Sequence, residues 1–325
     1  MKKTIALVTG GYSGESVISY KSADSVIKNI DTDKFNCYLI DIRKDGWFYI
    51  SSAGKNIPID KNDFSFSENG SKIKFDAALI ILHGTPGEDG KIQGYFECIG
   101  LPYTSCDTAT SAITFNKKNT IAIAAMGNVN VARSLQFFNS DNFSISDVEG
   151  KLKLPVFVKP NNGGSSLGIS KVNDIKELQE AVDKAFKEDD QIIIEEFVKG
   201  RELTIGVFKS KKNIIPLPIT EIISKNEFFD FEAKYLGASE EITPAKVDDH
   251  IASLIKNEAV KIYKLFNCRG VVRIDFIFNE EADKPFLLEI NTVPGQSNAS
   301  IVPQQVIAMG FTLKEFYTTL IEECF

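Results

Sequence analysis

A chain of 325 residues has room for two domains, or three, each with a sizeable core. With 43% hydrophobic and 25% charged residues its composition is that of an ordinary globular protein, which excludes a disordered or fibrous chain. Its 37 basic against 44 acidic residues leave a net charge of -7, the wrong sign for a general nucleic-acid binder, and two histidines, His83 and His250, are too few for a multi-histidine metal site.

The first block opens on Thr4-Ile5-Ala6-Leu7-Val8, a buried parallel strand by its unbroken apolar run, and turns through Gly10-Gly11-Tyr12-Ser13-Gly14 into a helix. Val17, Tyr20, Ala23, Ile27 and Ile30 recur there at helical spacing and predict its buried stripe. Cys37 to Ile42 and Ala77 to Leu82 are the next strands, the latter ending at His83-Gly84. Alternating strand and helix imply a doubly wound α/β unit, which places ligands at the carboxyl ends of its strands, where both glycine-bearing turns fall.

The middle block begins near Ser105. A helix is predicted over Thr110 to Met126, then a strand Pro155 to Pro160 followed by a Gly/Ser loop, Asn161 to Ser170. Asp174 and Glu177 form a capping pair before a helix bearing Ile175, Leu178, Val182 and Phe186, and Ile192 to Glu196 is a further strand. The last block has strands Glu202 to Phe208 and Ile214 to Thr220, an irregular segment Ser224 to Thr243, an amphipathic helix through Ile251, Ile255, Ala259, Ile262 and Phe266, and a hairpin, Val271 to Phe278 with Phe286 to Thr292. The five cysteines, odd in number and without a CxxC, read as reduced and mostly buried thiols of a cytoplasmic protein. No apolar run is long enough for a signal sequence or a membrane span.

The hairpin carries the strongest chemistry. A turn centred on Ala282 sets Asp275 opposite Glu289 and Arg273 opposite Asn291 on one face, and sends Ile274, Phe276, Leu288 and Ile290 to the other. Two carboxylates and an amide oxygen suit Mg²⁺, a hard ion that shares its shell with phosphate and water, and an adjacent arginine suits phosphate or carboxylate. A structural ion-pair ladder is the plainer reading of such a face, but here the charges stand where both strands should be turned inward. The loop Lys159-Pro160-Asn161-Asn162-Gly163-Gly164-Ser165-Ser166-Leu167-Gly168 offers backbone N–H groups and hydroxyls to phosphate oxygens, although it is neither a Walker A loop nor a dinucleotide fingerprint.

Taken in order, these pieces resemble the ATP-grasp superfamily and, within it, the D-alanine–D-alanine ligase family. The resemblance runs along nearly the whole chain. It is carried by His83-Gly84-Thr85-Pro86-Gly87-Glu88-Asp89-Gly90, by Val158-Lys159-Pro160 with the loop Gly164 to Gly168, by Glu232-Ala233-Lys234-Tyr235, and by Arg273-Ile274-Asp275 with Leu288-Glu289-Ile290-Asn291-Thr292 and Pro294-Gly295.

The resemblance implies an α/β fold: a Rossmann-like (pre-ATP-grasp) domain over 1–104, a central ATP-grasp lobe over 105–195, and a C-terminal lobe over 196–325 with the metal hairpin and a lid loop. It implies joining of two D-alanine molecules through a D-alanyl phosphate, with ATP and two Mg²⁺ ions (or Mn²⁺), for peptidoglycan precursors, in a cytoplasmic homodimer that contacts neither nucleic acid nor membrane.

By the same resemblance Asp275, Glu289 and Asn291 are metal ligands, and Arg273 orients the reacting carboxylate. Lys117, Lys159 and Lys234 face the ATP phosphates, Glu195, Glu196, Phe197 and Val198 the adenine, and Glu202 the ribose. Glu15 holds the first D-alanine's ammonium and links to Ser165 and Tyr235; His83 lies near its carboxylate. Gly295, Ser300 and Ile301 line the second subsite, and Phe228, Phe229 and Phe231 furnish the lid.

The chain departs from the family pattern at Ser16 and Val17, where a basic residue and an acid are usual, and at Asn116, Glu196 and Phe197. Two other readings share these motifs: D-lactate or D-serine as second substrate, against which the intact Lys234-Tyr235 pair argues, and an ATP-binding protein without turnover, whose mark would be a lost metal ligand or arginine.

Overall fold

The computed structural model describes residues 2–141, 143–164, 168–224 and 239–325. A five-stranded sheet runs in the order Asn56–Pro58, Gly46–Ile50, Phe35–Arg43, Lys3–Gly10 and Ala77–Ile80. The last three are parallel, and Ile5 to Val8 and Ala77 to Leu82 are all buried, as their apolar runs predict.

A second sheet is antiparallel, in the order Ser170–Val172, Val156–Pro160, Gln191–Glu196 and Ser134–Phe138. The helix Leu178–Ala185 packs on it, entered through the capping box that Asp174 and Glu177 form. A third, six-stranded sheet has Ser239–Ile242, Thr220–Ser224, Arg201–Ser210, Val271–Asn279 and Lys284–Asn291 in that order, with Asn213–Pro216 paired to Arg201–Ser210. The helix Asp249–Leu265 covers its apolar face with Ile251, Ile255, Ala259 and Ile262. The C-terminal helices Ile301–Ala308 and Leu313–Glu322 tie the third sheet to the first: Val306, Phe316 and Leu320 share one core with Ile5, Leu7 and Val271.

Several expectations are corrected. The helix Ser16–Asn29 exposes Val17, Tyr20 and Ile27 and buries Ser19, Ser22, Ser25 and Val26 beside Ala23; Ala23, Val26 and the following Ile30 join the core, while the serines meet neighbouring loops. The single helix of the middle block is two, Thr108–Phe115 and Lys117–Met126. Asn116 between them is extended, and its side chain caps the second by accepting from the Asn119 amide at 2.9 Å. The strand 214–220 is broken after Pro216, since Pro216 and Pro218 have no N–H to donate to a ladder.

In the third sheet's hairpin the register holds at Arg273 and Asp275 but shifts at Phe276, which pairs with Leu287. Leu288 is therefore an extra, bulged residue outside the core; Leu287 takes the buried place expected for it. The five cysteines are free as expected, but Cys98 is exposed, Cys37 and Cys324 are half-buried, and only Cys106 and Cys268 are buried. No helix among the described residues is long and apolar enough to cross a membrane.

Candidate active site

The three sheets meet around one cavity of about 840 Å³. Its third-sheet wall follows from strand alternation. Glu202, Thr204 and Gly206 stand opposite Ile277, Asp275 and Arg273, which stand beside Glu289 and Asn291 on the last strand. Leu203, Ile205, Val207, Ile274, Phe276 and Ile290 fill the other side as core.

The charges on this wall already have partners. The Arg273 guanidinium donates through Nε to Asp275 Oδ1 at 2.9 Å and through Nη2 to Oδ2 at 2.8 Å, and lies 3.5 Å from Glu289 Oε1. The Thr204 hydroxyl also donates to Asp275 Oδ1. Burial works against the Arg273 charge, but Asp275, Glu289 and Glu88 around it outweigh burial and raise its pKa. Asn291 Oδ1 accepts from the Val293 amide at 3.1 Å, which fixes its carbonyl on this face. Two carboxylates and an amide oxygen so arranged fit Mg²⁺ rather than zinc, and among the described residues no cluster of three His, Cys, Asp or Glu side chains is set to hold a metal alone.

The second-sheet wall carries the other cations. Phe157, Lys159, Ile193 and Glu195 share one face, by the pairing of Lys159 with Ile193 and of Phe157 with Glu195, while Val156, Val158, Ile192 and Ile194 form the core behind. Lys159 is ion-paired with the buried Glu195. Lys117, at the start of its helix, donates to the Gly163 carbonyl at 2.7 Å, which brings it against the glycine loop. Glu196 lines the cavity and accepts from the Lys153 amide at 2.9 Å, while Phe197 packs on Phe157 and Val198 completes this stretch.

The first sheet supplies the remaining wall. Glu15 begins the helix Ser16–Asn29 and enters the cavity between two glycines. A Cβ on Gly164 would lie 2.8 Å from Glu15 Oε1, and one on Gly84, whose φ is +67°, would strike the Glu15 carboxylate and come to 2.5 Å from Ser13 Oγ. Only glycine fits the turn at Gly84. The adjacent His83 is buried; its Nε2 is 3.1 Å from the Ser22 hydroxyl and its amide donates to Ser19 Oγ at 2.9 Å. Burial pushes the His83 pKa down to about 4, with Arg273 adding to the effect and a hydrogen bond to the Val293 backbone opposing it. Gly295 lies against Ser300, and Ser300 and Ile301 begin the helix Ile301–Ala308 at the cavity edge.

The cavity thus gathers Glu15, His83, Lys117, Lys159, Glu195, Glu196, Phe197, Val198, Glu202, Arg273, Asp275, Glu289, Asn291, Gly295, Ser300 and Ile301. Ser165, Lys234 and Tyr235, with the lid aromatics Phe228, Phe229 and Phe231, lie outside the described residues. His250 is remote from the cavity, paired with Asp283 at 2.8 Å.

Sequence reasoning leaves several residues of this site without a role, Glu88, Thr204, Lys21 and Glu241 among them. Glu88 is buried, accepts from the Gly84 amide at 2.7 Å, and has its pKa raised by burial and by the neighbouring Glu15. Thr204 was legible as the in-facing neighbour of Glu202 by alternation. Lys21 and Glu241 line the cavity as well; nothing in their local sequence marks them.

Comparison with known proteins gives the family. The family profile described as D-ala D-ala ligase N-terminus matches residues 4–106, and that described as D-ala D-ala ligase C-terminus matches residues 117–322. The D-alanine–D-alanine ligase of Parabacteroides distasonis is 46% identical over 99% of this chain and 98% of its own length; that of Flavobacterium johnsoniae is 44% identical over 98% of each. Among solved structures, the VanG D-Ala:D-Ser ligase of Enterococcus faecalis superposes with a TM-score of 0.91 at 30% identity over 100% of both chains. The Bacillus anthracis D-alanine–D-alanine ligase complexed with ATP does so with a TM-score of 0.79 at 25% identity, covering 99% of this chain and 97% of that one. By fold and by sequence over nearly its whole length, the chain belongs to the D-alanine–D-alanine ligase family.

Proposed function

We propose that this enzyme joins two D-alanine molecules at the expense of ATP, by way of a D-alanyl phosphate, to supply peptidoglycan precursors in the cytoplasm. The observation that carries the reading is the single cavity in which a carboxylate–arginine wall faces a lysine wall across Glu15, in a chain of this family. A carboxylate is a poor electrophile; transfer of the ATP γ-phosphoryl group to it creates a leaving group that the second amine displaces, so the site must order two amino acids and exclude water.

The residues divide the work. Lys117 and Lys159 address the phosphates, with Glu195 holding Lys159 in place. Glu195 to Val198 hold the adenine and Glu202 the ribose. Glu15, fixed between Gly84 and Gly164, takes the ammonium of the first D-alanine. His83, neutral in its buried place, borders the carboxylate of that substrate. Arg273 rotates from Asp275 toward the carboxylate being activated and stabilises the charge that develops there.

Asp275, Glu289 and Asn291 would hold Mg²⁺, which when bound supplies positive charge against the transferring phosphate. Gly295, Ser300 and Ile301 receive the second D-alanine. Ser165, Lys234 and Tyr235 complete the closed site. The reading further takes 1–104, 105–195 and 196–325 as its structural units and a homodimer through the first of them, supported by the apolar Val17, Tyr20 and Ile27 left exposed on the helix Ser16–Asn29.

Purified protein given ATP, Mg²⁺ and D-alanine is expected to release ADP and phosphate in step with D-alanyl-D-alanine. ATP hydrolysis without dipeptide, or no turnover, would overturn the reading. Competition among D-alanine, D-serine and D-lactate decides the acceptor, and dominance of D-serine would move the activity toward that of the VanG ligase.

A further inference from the structure

The helix Ser16–Asn29 presents a second charged residue to the cavity. Glu15, Ile18 and Lys21, spaced three apart, all line it. Lys21 is exposed, and among the described residues it has no ion pair or hydrogen bond. Its neighbours on the helix fix which end of the cavity it serves. Ser22 Oγ accepts from the Gln296 amide at 3.1 Å, and Ser25, one turn after Lys21, donates to Asn298 Oδ1 at 2.8 Å. The segment so held leads into Ser297 and Ser300, whose hydroxyls are 2.8 Å apart. The helix turn that carries Lys21 therefore lies against the segment that leads into Ser297 to Ile301. Glu241 lines the same cavity and is held by Gln304 from the helix that Ser300 begins. A lone lysine without an anion, at the edge of a cavity that also holds a carboxylate, matches an amino acid carrying both charges.

We propose that Lys21 binds the carboxylate of the acceptor amino acid and helps to select acceptors that carry one. The proposal rests on the ligase reading above. On this assignment Lys21 serves neither the reacting carboxylate nor the nucleotide, so its removal should act on the acceptor alone.

The test uses the full chain with saturating ATP and Mg²⁺, and D-alanine mixed with D-alaninamide, which has the amine but no carboxylate and so serves only as acceptor. Mass spectrometry gives the ratio of D-alanyl-D-alanine to D-alanyl-D-alaninamide. Lys21→Met is expected to shift the ratio about tenfold toward the amide, and Lys21→Arg to leave it within about twofold. An unchanged ratio in Lys21→Met would overturn the proposal, as would a raised KM for ATP at constant ratio, which would assign Lys21 to the nucleotide. If neither protein forms the amide product, the KM for acceptor D-alanine decides: a rise of about tenfold supports the proposal and no change overturns it. Failure of the unsubstituted protein to form any dipeptide would instead sink the ligase reading, and circular dichroism of each variant separates misfolding from lost binding.

Discussion

Two buried polar faces border the cavity, and they are built from different materials. The face of the third-sheet hairpin uses full charges: Arg273, Asp275 and Glu289 satisfy one another, with Thr204 adding a hydroxyl. Beside the core residues Ala23 and Val26, the polar part of the inner face of the helix Ser16–Asn29 is made of hydroxyls, Ser19, Ser22 and Ser25, each meeting the loop that carries His83 or the segment 296–298. Charges brought inward are costly unless paired, so they are kept where they act on a charged ligand. Hydroxyls cost little and bond either way, which suits a helix that positions two loops. One face is for chemistry and the other for alignment.

The largest effect should come from breaking the charged face. Arg273→Met is expected to lower kcat on the order of 10²–10³, and denaturant unfolding should show a loss of about 3–5 kcal/mol because Asp275 is left without its partner. A variant that kept its rate would remove Arg273 from the reacting centre.

The next effect is a pH dependence of stability on the hydroxyl side. The folded pKa of His83, about 4, lies below its ordinary value of 6.5, so the unfolded chain binds the proton more readily between these values. The His83 contribution is fully present above pH 6.5 and is lost as pH falls toward 4; it amounts to at most about 3 kcal/mol. His83→Gln should flatten the stability–pH curve in that window, as read by thermal melts across buffers; an equally steep curve would assign the slope to other groups.

Ser22→Ala removes a hydroxyl that serves both His83 and the Gln296 amide. A loss of about 1–3 kcal/mol is expected, with KM for D-alanine raised more than kcat is lowered; a pure kcat effect would mean that the helix does chemistry rather than alignment. Smallest should be the effect of Val17→Ser on the single chain, within about 0.5 kcal/mol of the parent in melts at high dilution. At higher protein concentration a larger loss is expected from the proposed homodimer, and the absence of any concentration dependence would remove Val17 from that interface.

The same contrast explains what could be read in advance. Strand alternation needs only period two, and the polar residues Arg273, Asp275, Glu289 and Asn291 break the apolar rule so plainly that their shared face and cross-strand partners were legible from the residues. The helix was misread because the apolar residues Val17, Tyr20 and Ile27 looked like its inner stripe. The small residues Ser19, Ser22, Ala23 and Val26 hold the true inner spacing, but serine is ordinary on a surface, and only the neighbouring loops turn it into buried polar contact. Leu288 was misplaced for a related reason: a bulge adds one residue to a strand and leaves no mark in composition.

By itself the sequence determined the α/β order of elements, the parallel strands of the first sheet, the paired carboxylates of the hairpin and the family, because each is fixed by local periodicity or by short motifs. The tertiary structure alone decided that Glu15 stands between Gly84 and Gly164, that Lys159 is matched by Glu195, and that Lys21 and Glu241 reach the cavity. Those contacts join residues distant in the chain, or side chains with no local signal. They exist only where three sheets, each obeying its own local rules, bring their edges to one place.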